Sequence, residues 1–249
     1  MAKTKIDWCD FSINPVKGLC PMACEYCYAR RMYKRFHWDE TIRYDDMVWQ
    51  TGSPIYNGSK VFVGSTMELF GEWVKPDWLN YIFDYVRSLP NLTFIFLTKQ
   101  PRNLLKWSPF PDNCWVGSSV TNAIQQSNAY VGLGRIRASV KFISYEPLLN
   151  NVFMEPQFLE DAGINWIIIG QQTPVRPSTQ PKVEWIREIV EAADITGVPV
   201  FFKDNLVGKC DRNGYPVDGV LERHNTPWAY KDKGASGICL RREFPREAK

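Results

Sequence analysis

The stretch Lys60-Val61-Phe62-Val63-Gly64 begins a pattern that occupies more than half of the chain. A short and almost continuously hydrophobic run of this kind is typical of a parallel strand covered on both faces. Five similar runs follow, with starts 21 to 33 residues apart, at 93–98, 114–118, 140–144, 166–170 and 198–203. That spacing leaves room for a helix and two loops after each strand, so we predict repeated β–α units and a parallel sheet.

The segments between and before these runs complete the predicted architecture. Residues 77–88 and 184–196 repeat apolar side chains at helical spacing, and residues 6–14 alternate loosely enough to predict a first strand. Residues 37–59 are irregular and are taken as an excursion. With about six to seven strands, the alternatives are an open doubly wound sheet and a full or partial (β/α) barrel of the TIM type.

Polar or small residues recur where each predicted strand ends. Six such groups stand at 64–66, 98–100, 118–119, 144–146, 170–172 and 203–205. In (β/α) barrels the active site is assembled from the carboxyl ends of the strands, so this regularity favours the full or partial barrel. The alternative is that polar residues simply mark the starts of loops.

Length and composition limit the remaining possibilities. A chain of 249 residues with 45% hydrophobic and 23% charged residues suits one large α/β domain, and two small domains are the alternative. We expect a barrel over residues 1–203 and a C-terminal extension over 204–249 that packs on it.

The net charge of +3 permits a nucleic-acid partner without requiring one. No signal sequence and no long apolar run is present, so we expect a cytoplasmic protein with no membrane partner.

Three of the seven cysteines fall within the eight residues Cys20-Pro21-Met22-Ala23-Cys24-Glu25-Tyr26-Cys27. Clustered thiols in a reducing compartment favour metal binding over a disulfide framework. Thiolates bind iron–sulfur clusters, and three thiolates on a cubane cluster leave one iron open to a small molecule. We therefore predict that Cys20, Cys24 and Cys27 are ligands of a 4Fe–4S cluster.

Three other interpretations of the cysteines stay open. The spacing also forms a helical stripe, which would make them buried thiols. A zinc ion is an alternative, with Cys9, His37 or another cysteine as the fourth ligand, although no second C-x2-C pair exists. A purely structural or electron-transfer cluster would also need a fourth ligand, and Cys9 and Cys210 are the candidates. In either metal-binding case the chain would be a binding module that cleaves no cofactor.

The pattern Cys20-x3-Cys24-x-Tyr26-Cys27 resembles the C-x3-C-x-aromatic-C motif of the radical S-adenosylmethionine (SAM) superfamily. In that superfamily the motif follows the first strand of a partial (β/α) barrel, which is its predicted place here. More specifically, the chain resembles the phage Gp37/Gp68-type family of radical SAM-like proteins. The supporting blocks are Val61–Ser65, Glu68–Phe70, Phe96–Lys99, Trp115–Ser118, Phe142–Leu149, Trp166–Gly170 and Phe201–Lys203.

This resemblance implies a specific chemistry. The unique iron of the cluster would bind the amino and carboxylate groups of SAM. One electron would cleave the carbon–sulfur bond, which yields methionine and a 5′-deoxyadenosyl radical that abstracts hydrogen from a substrate. The cofactor performs the difficult step, and the protein positions it and excludes water. An external electron donor such as flavodoxin or ferredoxin would be a partner.

The resemblance also suggests roles for the residues at the strand ends. Gly64, Ser65 and Thr66 occupy the place of the superfamily's Gly-Gly-Glu element, which meets the cofactor's amino group. They lack the second glycine and an adjacent glutamate, and Glu68 would compensate. Lys99 is the candidate for the cofactor carboxylate, as a point charge in a closed site.

Further candidates would contact the rest of the cofactor. Ser118 and Glu146 carry side chains suited to the ribose hydroxyls. Tyr26 or Tyr28 would pack near the adenine. For each residue the alternative is a hydrogen-bonded side chain at the start of a loop.

The remaining candidates lie on the substrate side. Lys203 and Cys210 are the catalytic candidates, with Cys210 donating a hydrogen atom or binding a second metal. Gln171 would contact the substrate. Cys114 begins its predicted strand, so we expect it in the core.

A basic and aromatic segment follows the cysteines and points to a substrate class. It contains the cations Arg30, Arg31, Lys34 and Arg35 and the aromatic residues Tyr28, Tyr33, Phe36 and Trp38. This composition suits phosphate contacts with base stacking, and the alternative is a solvated helix face. A similarity to spore photoproduct lyase makes repair or modification of nucleic acid the first hypothesis. A peptide or a small nucleoside-like metabolite is the second.

Overall fold

The computed structural model describes residues 1–49, 56–207, 220–221, 226–232 and 238–245. The strands are β1 Ala2–Lys3, β2 Phe11–Ile13, β3 Val16–Lys17, β4 Arg43–Tyr44, β5 Lys60–Val63, β6 Thr93–Thr98, β7 Cys114–Ser119, β8 Val140–Tyr145, β9 Trp166–Ile169, β10 Val200–Phe202, β11 Tyr230–Asp232 and β12 Ile238–Leu240. The α-helices are α1 Tyr28–Phe36, α2 Pro76–Arg87, α3 Ala123–Gly134, α4 Pro156–Ala162 and α5 Val183–Thr196. Short 3₁₀ helices cover Asp46–Trp49, Pro101–Trp107, Pro177–Thr179, Asp204–Leu206 and Pro227–Ala229. None of the described helices combines the length and the apolar character that crossing a membrane requires.

The chain divides into two compact units. The first contains residues 1–118 and 135–140, and the second contains residues 119–134 and 141–249. The predicted division into a barrel over 1–203 and an extension over 204–249 stays a prediction.

The first unit is built on a sheet of five strands in the order β1-β2-β5-β6-β7. The strands β2, β5, β6 and β7 are parallel, and β1 is antiparallel to β2. Val61 pairs with Phe94 and Ile95 with Trp115, so the hydrophobic runs of neighbouring strands lie side by side. These strands are buried along most of their length, which explains why they are hydrophobic without alternation.

Helix α2 covers this sheet through the apolar face that its sequence predicts. Proline at the first helical position and Asp77 in the first turn suit a helix start. Leu79, Ile82, Phe83 and Val86 are buried, and the ring of Phe83 lies 5.5 Å from that of Phe96 on β6. Removing such a buried aromatic side chain costs about 3–5 kcal/mol, so this contact contributes strongly to the unit.

The second unit contains the parallel strands β8, β9 and β10, with β9 in the middle. Phe142 pairs with Trp166, and Phe202 pairs with Ile169. Helix α5 buries five apolar residues, Ile186, Ile189, Val190, Ala192 and Ala193. The strands β11 and β12 form a separate antiparallel pair.

The structure confirms the α/β class and the parallel strands. The six hydrophobic runs that begin at residues 60, 93, 114, 140, 166 and 198 all contain strands, and the predicted first strand shortens to β2. The units contribute eight strands to their main sheets rather than six or seven, because the short β1 adds an antiparallel edge that its two residues did not reveal. In neither unit do the described first and last strands pair, so neither sheet closes into a full barrel on its own.

Candidate functional site

The cysteine segment forms two successive turns that lead into α1. The amide of Ala23 donates to the carbonyl of Cys20 at 3.5 Å. The amide of Cys27 donates to the carbonyl of Cys24 at 3.1 Å. Cys27 then caps α1, and its sulfur accepts a hydrogen bond from the amide of Arg30 at 3.5 Å. The positive end of the α1 dipole therefore faces the Cys27 sulfur, which favours an anionic ligand there.

All three cysteines line one small cavity in the first unit. Arg30 and Thr66 lie in the same lining. The enclosed space is only about 20 Å³, roughly the room of one water molecule, so a cluster would lie at its mouth. Among the described residues, no three His, Cys, Asp or Glu side chains are grouped to hold a single metal ion. A cubane cluster does not require that grouping, because each thiolate binds a different iron.

The chemistry of this donor set fits a thiolate-bound cluster. The sulfurs of Cys20 and Cys27 each accept a backbone N–H bond, from Glu68 at 3.5 Å and from Arg30 at 3.5 Å. Such bonds to sulfur are among the features that tune iron–sulfur clusters. Burial raises the pKa of the Cys20 thiol, and the Glu68 amide partly opposes this. Iron binding would therefore release a proton from this thiol.

The two fourth ligands named for zinc, Cys9 and His37, do not join the cavity. Cys9 is buried and its thiol lies 4.0 Å from the carbonyl oxygen of Ile6, and it is not part of the cavity lining. His37 caps the opposite end of α1 and is also outside the lining. The cavity therefore presents three thiols from one segment.

Glu68 is the buried residue that joins the cysteine segment to the end of β6. Its side-chain oxygens accept bonds from Thr98 Oγ1 at 2.7 Å, the amide of Lys99 at 2.6 Å and the amide of Phe70 at 3.1 Å. Its own amide donates to the sulfur of Cys20. Burial raises the pKa of the Glu68 carboxyl, and the donors oppose this shift. Both carboxyl oxygens are thus held by this chain, which favours a positioning role.

The group Gly64, Ser65 and Thr66 is held against the end of β2. Gly64 has a φ of 84°, and a Cβ there would lie 2.6 Å from the side chain of Leu69, so glycine is required. Asn14 Oδ1 accepts bonds from Ser65 Oγ at 3.1 Å and from the amide of Thr66 at 3.0 Å. Asn14 was not among the predicted site residues, although a polar residue at a strand end was a usable signal.

Lys99 and Tyr26 lie together beside the cysteines. The ammonium nitrogen of Lys99 is 5.8 Å from the centre of the Tyr26 ring, within cation–π range. Burial raises the pKa of the Tyr26 hydroxyl, and the neighbouring Cys24 thiol adds to this. The structure therefore places a cation, an aromatic ring and a thiol of the segment in one neighbourhood.

Ser118 lies at the end of β7 in the same unit. Its side chain is 1% exposed, and its hydroxyl has no hydrogen-bond partner among the described residues. A buried hydroxyl without a partner costs free energy unless a ligand or water satisfies it. At the start of β7, Cys114 is fully buried, as predicted, and burial raises the pKa of its thiol.

A second group of predicted residues meets within the second unit. Glu146, after β8, forms an ion pair with Lys203, after β10. Gly170, after β9, lies between them, because a Cβ there would be 3.0 Å from Lys203 Cδ and 3.4 Å from Glu146 Cγ. Gln171 is buried, and its backbone carbonyl accepts a bond from Asn205 Nδ2 at 2.7 Å.

Arg30 has a role that the composition of the basic segment did not reveal. Besides its amide bond to Cys27, its guanidinium donates to the carbonyl of Cys20 at 2.7 Å. One arginine therefore spans the segment from its first cysteine to its last. The basic run suggested a phosphate contact, and only the folded loop shows that this guanidinium faces inward.

Comparison with known proteins identifies a family. A family model described as a protein of unknown function, DUF5131, matches residues 3–224. The chain belongs to this family. No curated protein matches it, and no solved structure matches it.

The DUF5131 match spans the cysteine segment and the strand ends of both units. Cys210, a predicted catalytic residue, falls outside the described residues. Its assignment stays a prediction.

Proposed function

We propose that this DUF5131 protein is a radical SAM enzyme whose 4Fe–4S cluster is held by Cys20, Cys24 and Cys27. The observation that carries the proposal is the meeting of three thiols, two of them with N–H donors, at the carboxyl ends of parallel strands. In this proposal the parallel strands are those of a partial (β/α) barrel. When bound and reduced, the cluster supplies the electron that splits SAM into methionine and a 5′-deoxyadenosyl radical.

The chain's own residues hold the ligands in place. Arg30 fixes the backbone of the cysteine segment, and Glu68 fixes that segment against the end of β6. Lys99, next to the Glu68 carboxylate, carries the positive charge that would meet the SAM carboxylate. The buried hydroxyl of Ser118 would donate to or accept from a ribose hydroxyl, which would satisfy its missing partner.

In the second unit, Lys203 is assigned to the substrate side. Glu146 is assigned to the ribose hydroxyls of SAM. Their ion pair holds both groups in one orientation before any ligand binds. Pre-organised charges of this kind cost little reorganisation during the reaction. Cys210 remains the proposed hydrogen donor, and an external flavodoxin- or ferredoxin-type protein the proposed electron source.

The test is anaerobic reconstitution with iron and sulfide, followed by SAM and a strong reductant. We expect a brown protein that forms 5′-deoxyadenosine, and loss of both properties when Cys20, Cys24 or Cys27 is changed to Ala. Cys9→Ala is the matched control, since this thiol lies outside the cavity. Iron without SAM cleavage would leave an iron–sulfur binding module, and zinc without iron would reject both.

A further inference from the structure

The solvent face of α1 carries three cations, and the nine residues of the helix include no acid. At 100° per residue, Tyr28, Arg31, Lys34 and Arg35 fall within about 120° of the helix circumference. All four are exposed, whereas Ala29 and Tyr33 are buried on the opposite side. This is a concentrated positive surface, which we call the α1 surface.

Flat aromatic rings stand at both ends of the α1 surface. At its start, the Tyr28 ring is 45% exposed while its hydroxyl is fixed by a 2.9 Å bond to the carbonyl of Ser65. At its end, Phe36 and Trp38 are 50% and 43% exposed and stack on one another, with ring centres 5.5 Å apart. Rings held in place in this way lose little freedom when a base stacks on them.

Asp39, the first acid after α1 in the sequence, is engaged elsewhere. Asp39 forms an ion pair with Arg43 at 2.7 Å, and its pKa is lowered first by the Thr41 amide. Arg35 lies over the ring of Phe36, 5.3 Å from its centre, which places charge and ring side by side. Phosphate contact beside a stacking ring is the pattern of single-strand nucleic-acid sites.

We propose that the α1 surface binds single-stranded nucleic acid and leads it to the cysteine segment. The helix rises about 12 Å between its two aromatic ends, which corresponds to three or four stacked nucleotides. Tyr28 directly follows Cys27, so a base on its ring lies next to the proposed radical site. This substrate class rests on the proposed function, but the binding itself does not.

A negatively charged membrane surface is the competing partner. An interfacial helix inserts its apolar face into lipid, but the apolar side of α1 packs against the protein through Ala29 and Tyr33. Only the rings at the ends remain for insertion. Charge complementarity with exposed flat rings therefore favours nucleic acid.

The test measures the anisotropy of a fluorescent 12-nucleotide oligo(dT) with the full chain, with and without reconstituted cluster. Lys34→Gln with Arg35→Gln removes two phosphate contacts, so affinity should fall about 25-fold at 0.1 M salt, and the log–log salt slope should flatten by about 1.4. The matched control is Arg102→Gln with Lys106→Gln, an exposed pair in the same unit, which should bind as the wild type does. Trp38→Ala should weaken binding by about 5- to 160-fold.

Several outcomes would overturn this inference. Absent or salt-independent binding, equal loss in both double variants, or binding only to phosphatidylserine vesicles would each reject it. Circular dichroism of each variant separates lost binding from lost folding, and the charge and ring variants test the surface independently. Binding that fails while SAM cleavage persists rejects this surface alone, and the reverse result rejects only the proposed enzyme.

Discussion

The change Glu68→Gln tests whether one buried carboxylate holds the cysteine segment to the sheet. The substitution preserves size and removes one acceptor oxygen. In the native chain the two oxygens serve Thr98, Lys99 and Phe70, and the side chain is 7% exposed. In either orientation of the new amide, its NH2 group faces the backbone N–H of Lys99 or of Phe70.

The expected loss follows from that geometry. A buried backbone donor without an acceptor costs about 1–3 kcal/mol. For a chain of this size, each kcal/mol lowers the melting temperature by about 2–4 °C, so we expect a fall of about 2–12 °C at pH 7. Thermal unfolding followed by circular dichroism measures this directly.

The matched control is Glu72→Gln, the same chemical change four residues away at an exposed position. It should leave the melting temperature within about 2 °C, because surface substitutions stay within about 0.5 kcal/mol. Equal melting temperatures for the two variants would refute the role given to Glu68. We also expect Glu68→Gln to lower iron retention after reconstitution, since the amide of this residue donates to Cys20.

Three further predictions concern the same region. Burial raises the pKa of Glu68 above its ordinary 4.5, so the contribution of this carboxyl to stability is full below that value and declines as the pH rises through the folded pKa. Urea unfolding of wild type and Glu68→Gln across pH 4–8 should therefore show that the difference in their free energies of unfolding shrinks as the pH rises. A difference that grows with pH would contradict this. Arg30→Gln should lower the iron bound after reconstitution because it frees the carbonyl of Cys20, whereas Lys34→Gln on the same helix should not; equal iron content would remove the anchoring role. Asn14→Ala should cost about 1–3 kcal/mol in denaturant unfolding, because the loop after β5 loses a shared acceptor, and an unchanged midpoint would show that the loop is held otherwise.

The strands were predictable because burial on both faces requires a continuous hydrophobic run in the sequence. The runs at 61–63 and Trp166–Ile169 are hydrophobic without interruption, and both lie in strands where they are buried. The two-residue β1 has no hydrophobic run, since its residues are exposed. It pairs by backbone hydrogen bonds, which sequence patterns do not encode.

The candidate site was predictable in its reactive groups but not in its supports. The cysteine spacing predicts a metal site because three sulfurs in eight residues have few other uses. The contact of Glu68 with Thr98 joins residues 30 positions apart, and it exists only once β5 and β6 are paired. In the same way, the inward turn of the Arg30 guanidinium depends on the path of the loop that precedes it. Local sequence therefore predicts ligands, and the fold decides which neighbours orient them.

The most direct test of the proposed function is the formation of 5′-deoxyadenosine by the reconstituted protein. SAM and dithionite are added anaerobically to wild type, Cys24→Ala and Cys9→Ala, and the product is measured by liquid chromatography with mass spectrometry. We predict product from wild type and Cys9→Ala and none from Cys24→Ala. A protein that carries its full iron and sulfide yet leaves SAM intact would contradict the proposal.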